Sequence, residues 1–151
     1  MSTKRFPPND PREWLNRAQS NLSQAERGIR FPHVYLEDLC FHAQQAAEKS
    51  IKAVLIYGGI RFPYTHDLAK LFTLLEQNNC VVPQNVREST WLSDYATVTR
   101  YPGPSEPVGQ REYKKAVTTA KAVLRWAETV IKGQTTLSAT PSRRRKKKTK
   151  S

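Results

Sequence analysis

The chain has little of what several classes of protein require. It has two cysteines, Cys40 and Cys80, which are too few for the disulfide framework of a small secreted fold. Neither lies in a CxxC pair or a Cys/His cluster at ligand spacing, so no metal site and no cofactor are expected. Both are read as ordinary thiols of a reducing cytosol, and the protein as cytoplasmic. The longest apolar run, Ala53-Val54-Leu55-Ile56-Tyr57, is far short of the ~20 residues that cross a bilayer, and the polar first twenty residues hold no apolar signal segment. No membrane association is expected. Only three histidines are present, His33, His42 and His66, which leaves few candidates for acid–base chemistry near neutral pH.

Positive charge is abundant. The 151 residues carry 25 Lys and Arg against 13 Asp and Glu, a formal charge of +12. Seven of the basic residues crowd into Arg143–Lys150, with no acid beyond residue 133, so residues 1–133 hold a modest excess. More than half of the charge is therefore a property of the tail. Residues 134–151, Ser/Thr-rich and then basic, read as disordered; such a run attracts polyanions without sequence specificity. Residues 1–8 form an N-terminal arm and 9–133 one domain, long enough to bury a core.

Apolar residues recur at three and four with no sustained strand alternation, which predicts an all-α fold. Asp10-Pro11-Arg12-Glu13 opens a first helix with a capping residue, a proline at the first helical position and a glutamate placed to close a capping box. Its stripe is Trp14, Leu15, Ala18, Leu22, Ala25 and Ile29, with Gly28 marking the end. The second helix is expected from His33 to Tyr57, stopped by Gly58-Gly59. Its Ala43, Ala46, Ala47 and Ser50 keep the middle thin enough for a neighbouring helix to approach closely. A third runs from about His66 to Asn78 with Thr65 as cap. A fourth is opened by Asn85-Val86-Arg87-Glu88 and stopped near Arg100 by Pro102, Pro104 and Pro107. A fifth runs from Gln110 to Lys132. Short connections favour an up-and-down bundle of four to five antiparallel helices. Trp14, Trp91, Tyr95 and Trp126 fall on its core stripes.

Three segments carry a resemblance. Phe41-His42-Ala43-Gln44-Gln45-Ala46-Ala47-Glu48-Lys49-Ser50-Ile51-Lys52-Ala53, then Thr65-His66-Asp67-Leu68, then Thr99-Arg100-Tyr101-Pro102-Gly103, in this order and spacing, resemble the HEPN domain family. The name denotes a nucleotide-binding domain of higher eukaryotes and prokaryotes. The resemblance covers roughly residues 9–132. It implies a helical bundle, usually a homodimer, often paired with a minimal nucleotidyltransferase in a toxin–antitoxin-type system. Many members are metal-independent ribonucleases carrying an Arg followed, after four to six residues, by a His. The matching arginine is Arg100, but no histidine follows it here. Arg27 with His33 and Arg61 with His66 meet the bare spacing at other places in the chain.

His42, Gln45, Lys49 and Lys52 share one flank of the second helix at spacings of three and four. With His66, Arg100 and Tyr101 they offer cations for phosphate and rings for base stacking. The alternative for Lys49 and Lys52 is the solvated side of an amphipathic helix. For His42, Gln45 and His66 it is hydrogen bonding inside the bundle, and for Arg100 it is stabilising a helix C-terminus. The candidate nucleotide- or RNA-binding set is His42, Gln45, Lys49, His66, Arg100 and Tyr101, with no residue assigned to catalysis. Three functions follow: a nucleotide- or RNA-binding module in a toxin–antitoxin-type pair, a ribonuclease toxin using His42 or His66, and a dimeric scaffold whose basic tail binds polyanions.

Overall fold

A computed structural model describes residues 3–96 and 107–133. The regular elements of the described residues are all helices: α1 (Pro11–Arg27), α2 (Leu36–Tyr57), α3 (Leu68–Gln77), α4 (Gln84–Arg87) and α5 (Gln110–Ile131). A 3-10 turn, Gly28–Arg30, follows α1, and a 3-10 segment, Glu88–Ala96, follows α4. Helix α2 is the hub, packed against α1 and α5 and more lightly against α3 and the 3-10 segment. Leu39 near the start of α2 meets Gly28 at the end of α1, while Lys49 further on meets Asn21, so the two helices run antiparallel.

Close packing on α2 has the sequence origin expected of it. Ala43, Ala46, Ala47 and Ser50 are fully buried, and Ser50 Oγ donates back to the Ala46 carbonyl at 2.7 Å, which conceals its only polar group. Gly28 adopts ordinary helical angles (φ −59°), so conformational freedom is not its role. A Cβ there would fall 2.3 Å from Leu39 Cδ2, so the missing side chain is what lets α2 close on α1. At Gly59 (φ +68°) and Gly133 (φ +80°) the left-handed stop is real.

Several boundaries differ from the sequence expectation. Helix α2 begins at Leu36, because His33 takes a positive φ of 63° in the preceding turn. Asp67, not Thr65, caps α3: its Oδ1 accepts from Ala69 N at 3.0 Å and Lys70 N at 3.4 Å, and a carboxylate is the stronger acceptor at a helix N-terminus. Thr65 supports it by accepting from Asp67 N. The Asn85 capping box does not form, since α4 begins at Gln84 with Pro83 before it. Instead of a long fourth helix, the chain tightens into 3-10 geometry through Ala96. Ser89, Thr90, Ser93 and Asp94 have poor helix propensity, and Ser89 Oγ donates to the Val86 carbonyl at 2.6 Å. Ser93 Oγ in turn accepts from Leu68 N, satisfying another free amide at the start of α3.

Glu13 also departs from its expected role. Its Oε1 accepts from Phe6 N at 2.9 Å and its Oε2 from Arg17 Nε at 2.9 Å, rather than closing a box on Asp10. Trp14 Nε1 donates to the Pro8 carbonyl and Asn16 Nδ2 to the Lys4 carbonyl, so three side chains from about one turn pin the N-terminal arm to α1. The backbone amide of Phe6 holds the Glu13 carboxyl below its ordinary range.

The core runs from Ala18, Leu22 and Ala25 through the inner face of α2 to Leu68, Leu71, Phe72 and Leu75 of α3 and to Ala120, Val123 and Ala127 of α5. Trp126 and Tyr95 are buried with it, whereas Trp14 and Trp91 lie only partly covered. Cys40 and Cys80 are both buried and free; burial pushes their thiols up to about 12 and about 11. Trp126 Nε1 is buried with no hydrogen-bond partner. Losing that N–H costs nothing in lost bonds, so Trp126→Phe should cost only the packing of the smaller ring, about 1–2 kcal/mol, against the ~3–5 kcal/mol typical of truncating a buried Trp to Ala. Urea denaturation of the two variants checks this; a loss for Phe as large as for Ala would contradict it.

Candidate functional site

The polar flank of α2 holds two linked clusters, built at different depths. In the first, the thin Ala43–Ala47 seam brings α1 so near that the short side chain of Asn21 reaches two residues of α2. Lys49 Nζ donates to Asn21 Oδ1 at 2.7 Å, and Asn21 Nδ2 lies 3.2 Å from His42 Nδ1. Both His42 and Lys49 are half-buried, and burial pushes the pKa of each below its ordinary value. Among the described residues no carboxylate comes within ion-pair distance of Lys49.

The second cluster centres on Glu48, only 3% exposed. Lys52 Nζ donates to its Oε2 at 2.8 Å; Gln44 Nε2 and His66 Nδ1 both meet its Oε1, at 2.9 and 2.8 Å. Gln45 Nε2 extends the chain by donating to Gln44 Oε1 at 2.7 Å. On the solvent side, Tyr64 OH lies 3.2 Å from His66 Nε2, and Tyr64 is 87% exposed. The Lys52 ammonium, 5% exposed, also sits 5.6 and 5.8 Å from the ring centres of Phe62 and Tyr64. Burial pushes the Glu48 carboxyl up, but the bonds from Lys52, Gln44 and His66 outweigh it and hold the group below its ordinary range. With Nδ1 against a carboxylate, His66 presents Nε2 toward the Tyr64 hydroxyl at the surface.

The structure therefore joins the predicted residues in pairs: His42 with Lys49 through Asn21, and Gln45 with His66 through Gln44 and Glu48. Adjacent positions 48 and 49 link the pairs. Arg100 and Tyr101 lie outside the described residues, as does the basic tail. The solvated-face alternative is overturned for Lys52, which is buried because Glu48 and two aromatic rings replace its water. Asn21, Gln44, Glu48 and Tyr64 belong to the clusters though sequence reasoning passed over them. The Gln44–Glu48–Lys52 ladder at i, i+4 was the available signal, but it looks the same on a solvated helix face. No hydrogen bond or ring contact joins Arg27 to His33 or Arg61 to His66. Among the described residues no group of His, Cys, Asp and Glu is placed to hold a metal ion, and no helix is long and apolar enough to cross a membrane.

The described residues form an all-helical bundle with a histidine-, lysine- and glutamine-bearing flank on its central helix. The family model of the HEPN domain matches residues 11–130, and the chain belongs to that family. It is also similar to the crystal structure of an archaeal HEPN homologue, with 27% identity and a TM-score of 0.64 over 87% of this chain and 98% of that one. No curated protein matches it.

Proposed function

We propose that this HEPN domain is a nucleotide- or RNA-binding module that works with a nucleotidyltransferase in a toxin–antitoxin-type pair. The observation that supports the reading is Lys49: a half-buried ammonium hydrogen-bonded to an amide, with no carboxylate within ion-pair distance among the described residues. Burying a cation without a counter-charge is costly, and the cost is recovered if an anion arrives. Phosphate is the anion that nucleotides and RNA share. Lys49→Met should weaken binding of a single-stranded RNA, measured by fluorescence anisotropy, and should reduce the slope of log affinity against log salt by about 0.7, the signature of one lost phosphate contact. An unchanged slope would remove Lys49 from the interface.

A chain ending at Gly133 separates this reading from a scaffold whose tail alone binds polyanions. Undiminished affinity in moderate salt supports the bundle, and its complete loss supports the tail. The homodimer belongs to the same proposal, and the exposed Phe31, Val34 and Tyr35 at the α1–α2 turn offer apolar surface for it. Light scattering that returns a monomer mass at micromolar concentration would exclude the dimer. For the partner, co-purification with the product of a neighbouring nucleotidyltransferase frame is the corresponding test.

A second reading, a metal-independent ribonuclease, is favoured by the Glu48–His66–Tyr64 arrangement. A buried carboxylate orients the imidazole, and its second nitrogen faces a surface hydroxyl. Incubation with RNA in EDTA decides between them. No cleavage is expected of the binding module, while cleavage abolished by His66→Gln would establish the second reading.

A further inference from the structure

The contacts of Asn21 fix more than a position. A lysine ammonium can only donate, so Lys49 orients the amide with its oxygen toward Nζ, 2.7 Å away. The amide nitrogen then faces His42 Nδ1 at 3.2 Å and, being a donor, requires Nδ1 to accept. His42 is thus held neutral, with its proton on Nε2. A proton added to Nδ1 would set two N–H donors against each other. The amide relieves that only by turning over, with its oxygen accepting from His42 and its NH2 group facing Lys49. The oxygen faces Lys49 and the nitrogen faces His42, so the amide can turn its oxygen to one of the two at a time.

Around this junction the groups on offer are donors: the remaining Lys49 hydrogens and the His42 Nε2–H. Arg17 of α1 acts on Lys49 by its charge, as do Glu48 and Lys52. Among the described residues, the charged groups acting on His42 are Asp38, one turn earlier on α2, and Lys49; the Phe41 ring stands edge-on to the imidazole. A ligand for a cluster of donors is an anion, and both side chains are accessible enough to reach one.

We propose that Asn21 is a two-position switch in a phosphate-binding site: with His42 neutral it tethers Lys49, and with His42 protonated it releases Lys49, so a bound phosphate group is taken up together with a proton. The proton comes from solvent, and no covalent bond changes. Burial already holds His42 below the ordinary imidazole range in the free chain. A bound phosphate favours the imidazolium, so phosphate affinity rises as pH falls toward and through the His42 midpoint. The proposal rests on the reading that this flank of α2 binds nucleotide or RNA, and it adds how the site is regulated.

Histidine-ring NMR on the full-length chain tests it, with the three imidazoles assigned by single substitutions. In ligand-free protein, Lys49→Met frees the amide and removes a cation, and should raise the proton affinity of His42 about tenfold. Asn21→Asp supplies two oxygens, one for each partner, and should raise it at least as much. Millimolar inorganic phosphate should raise the wild-type His42 midpoint and leave that of Lys49→Met unmoved. AMP and single-stranded oligoadenylate, added in turn, distinguish a monoester ligand from a diester one by which of them moves His42. If Lys49→Met leaves His42 unchanged without ligand, the switch is wrong, even where RNA still binds as proposed above. If His42 responds to Lys49→Met but to none of the three phosphates, the site does not take phosphate, and both the coupled uptake and the Lys49 interface fall.

Discussion

Glu48→Ala should be among the most damaging substitutions in the protein, costing about 3–5 kcal/mol of stability. The reason is what it leaves behind. Lys52, 5% exposed, would lose its carboxylate and keep the two aromatic rings beside it, and Gln44 and His66 would each lose an acceptor. In thermal denaturation the expected fall is on the order of 10 °C for a domain of this size. A paired replacement discriminates the mechanism. Glu48→Leu with Lys52→Met removes both charges and should restore most of the loss, since a well-packed apolar pair can match a buried ion pair. If the double variant is no better than the single one, the damage comes from packing or from His66, not from an orphaned ammonium. The pH dependence has a definite sign. The folded carboxyl of Glu48 is held below its unfolded value, so its contribution is present above the ordinary carboxylate range and is lost as pH falls through the folded value. The stability difference between wild type and the double variant should therefore narrow or reverse in acid.

Phe72→Ala is expected to match it, at about 3–5 kcal/mol, for an unrelated reason. Helix α3 has ten residues, too few to be stable alone, so it persists because Leu68, Leu71, Phe72 and Leu75 are wholly buried. The Phe72 ring packs at 6.2 Å, tilted 57°, against Trp126 of α5, and the Arg87 guanidinium lies 5.6 Å from its centre. Truncation opens a cavity at the point where α3 is attached. Because His66 precedes the same helix, the variant should also loosen the Glu48–His66 contact, visible as faster hydrogen exchange over residues 66–77 than over α1. Thr73→Ala, on the exposed face, is the control and should stay within about 0.5 kcal/mol. Urea denaturation in which both variants behave alike would mean that α3 is not held by its apolar face.

These two cases mark what could be read from the chain before its fold. Phe72 stood out because apolar periodicity is a local signal: Leu68, Leu71, Phe72 and Leu75 declare one face of a helix within eight residues. The caps of α1 were equally plain at Asp10-Pro11. Glu48 did not stand out, because a Glu–Lys pair at i, i+4 has the same appearance whether the face is wet or dry, and only the arrival of His66, eighteen residues later, shows which. Asn21 is the extreme case. It lies between stripe residues Ala18 and Leu22, and its partners are 21 and 28 residues away on a helix that approaches only because Ala43 and Ala47 are small. The fourth helix misled for a different reason, since Ser89 and Ser93 have side-chain uses that compete with the regular backbone pattern. His42, Gln45, Lys49 and His66 were legible as members of one candidate set but not as two clusters.

The two buried thiols give the chain a pair of built-in clocks. Alkylating reagents attack the thiolate, and neither Cys40 nor Cys80 offers solvent an ionised sulfur while its surroundings stay closed. Labelling must therefore wait for an opening. Cys40 sits in the first turns of α2 beneath the whole bundle, so its rate reports the rare event that exposes the hub. Cys80 sits just beyond α3, so its rate reports the release of that short helix alone. The ratio of the two rates, followed by mass spectrometry, measures whether the α3 corner breathes independently of the rest.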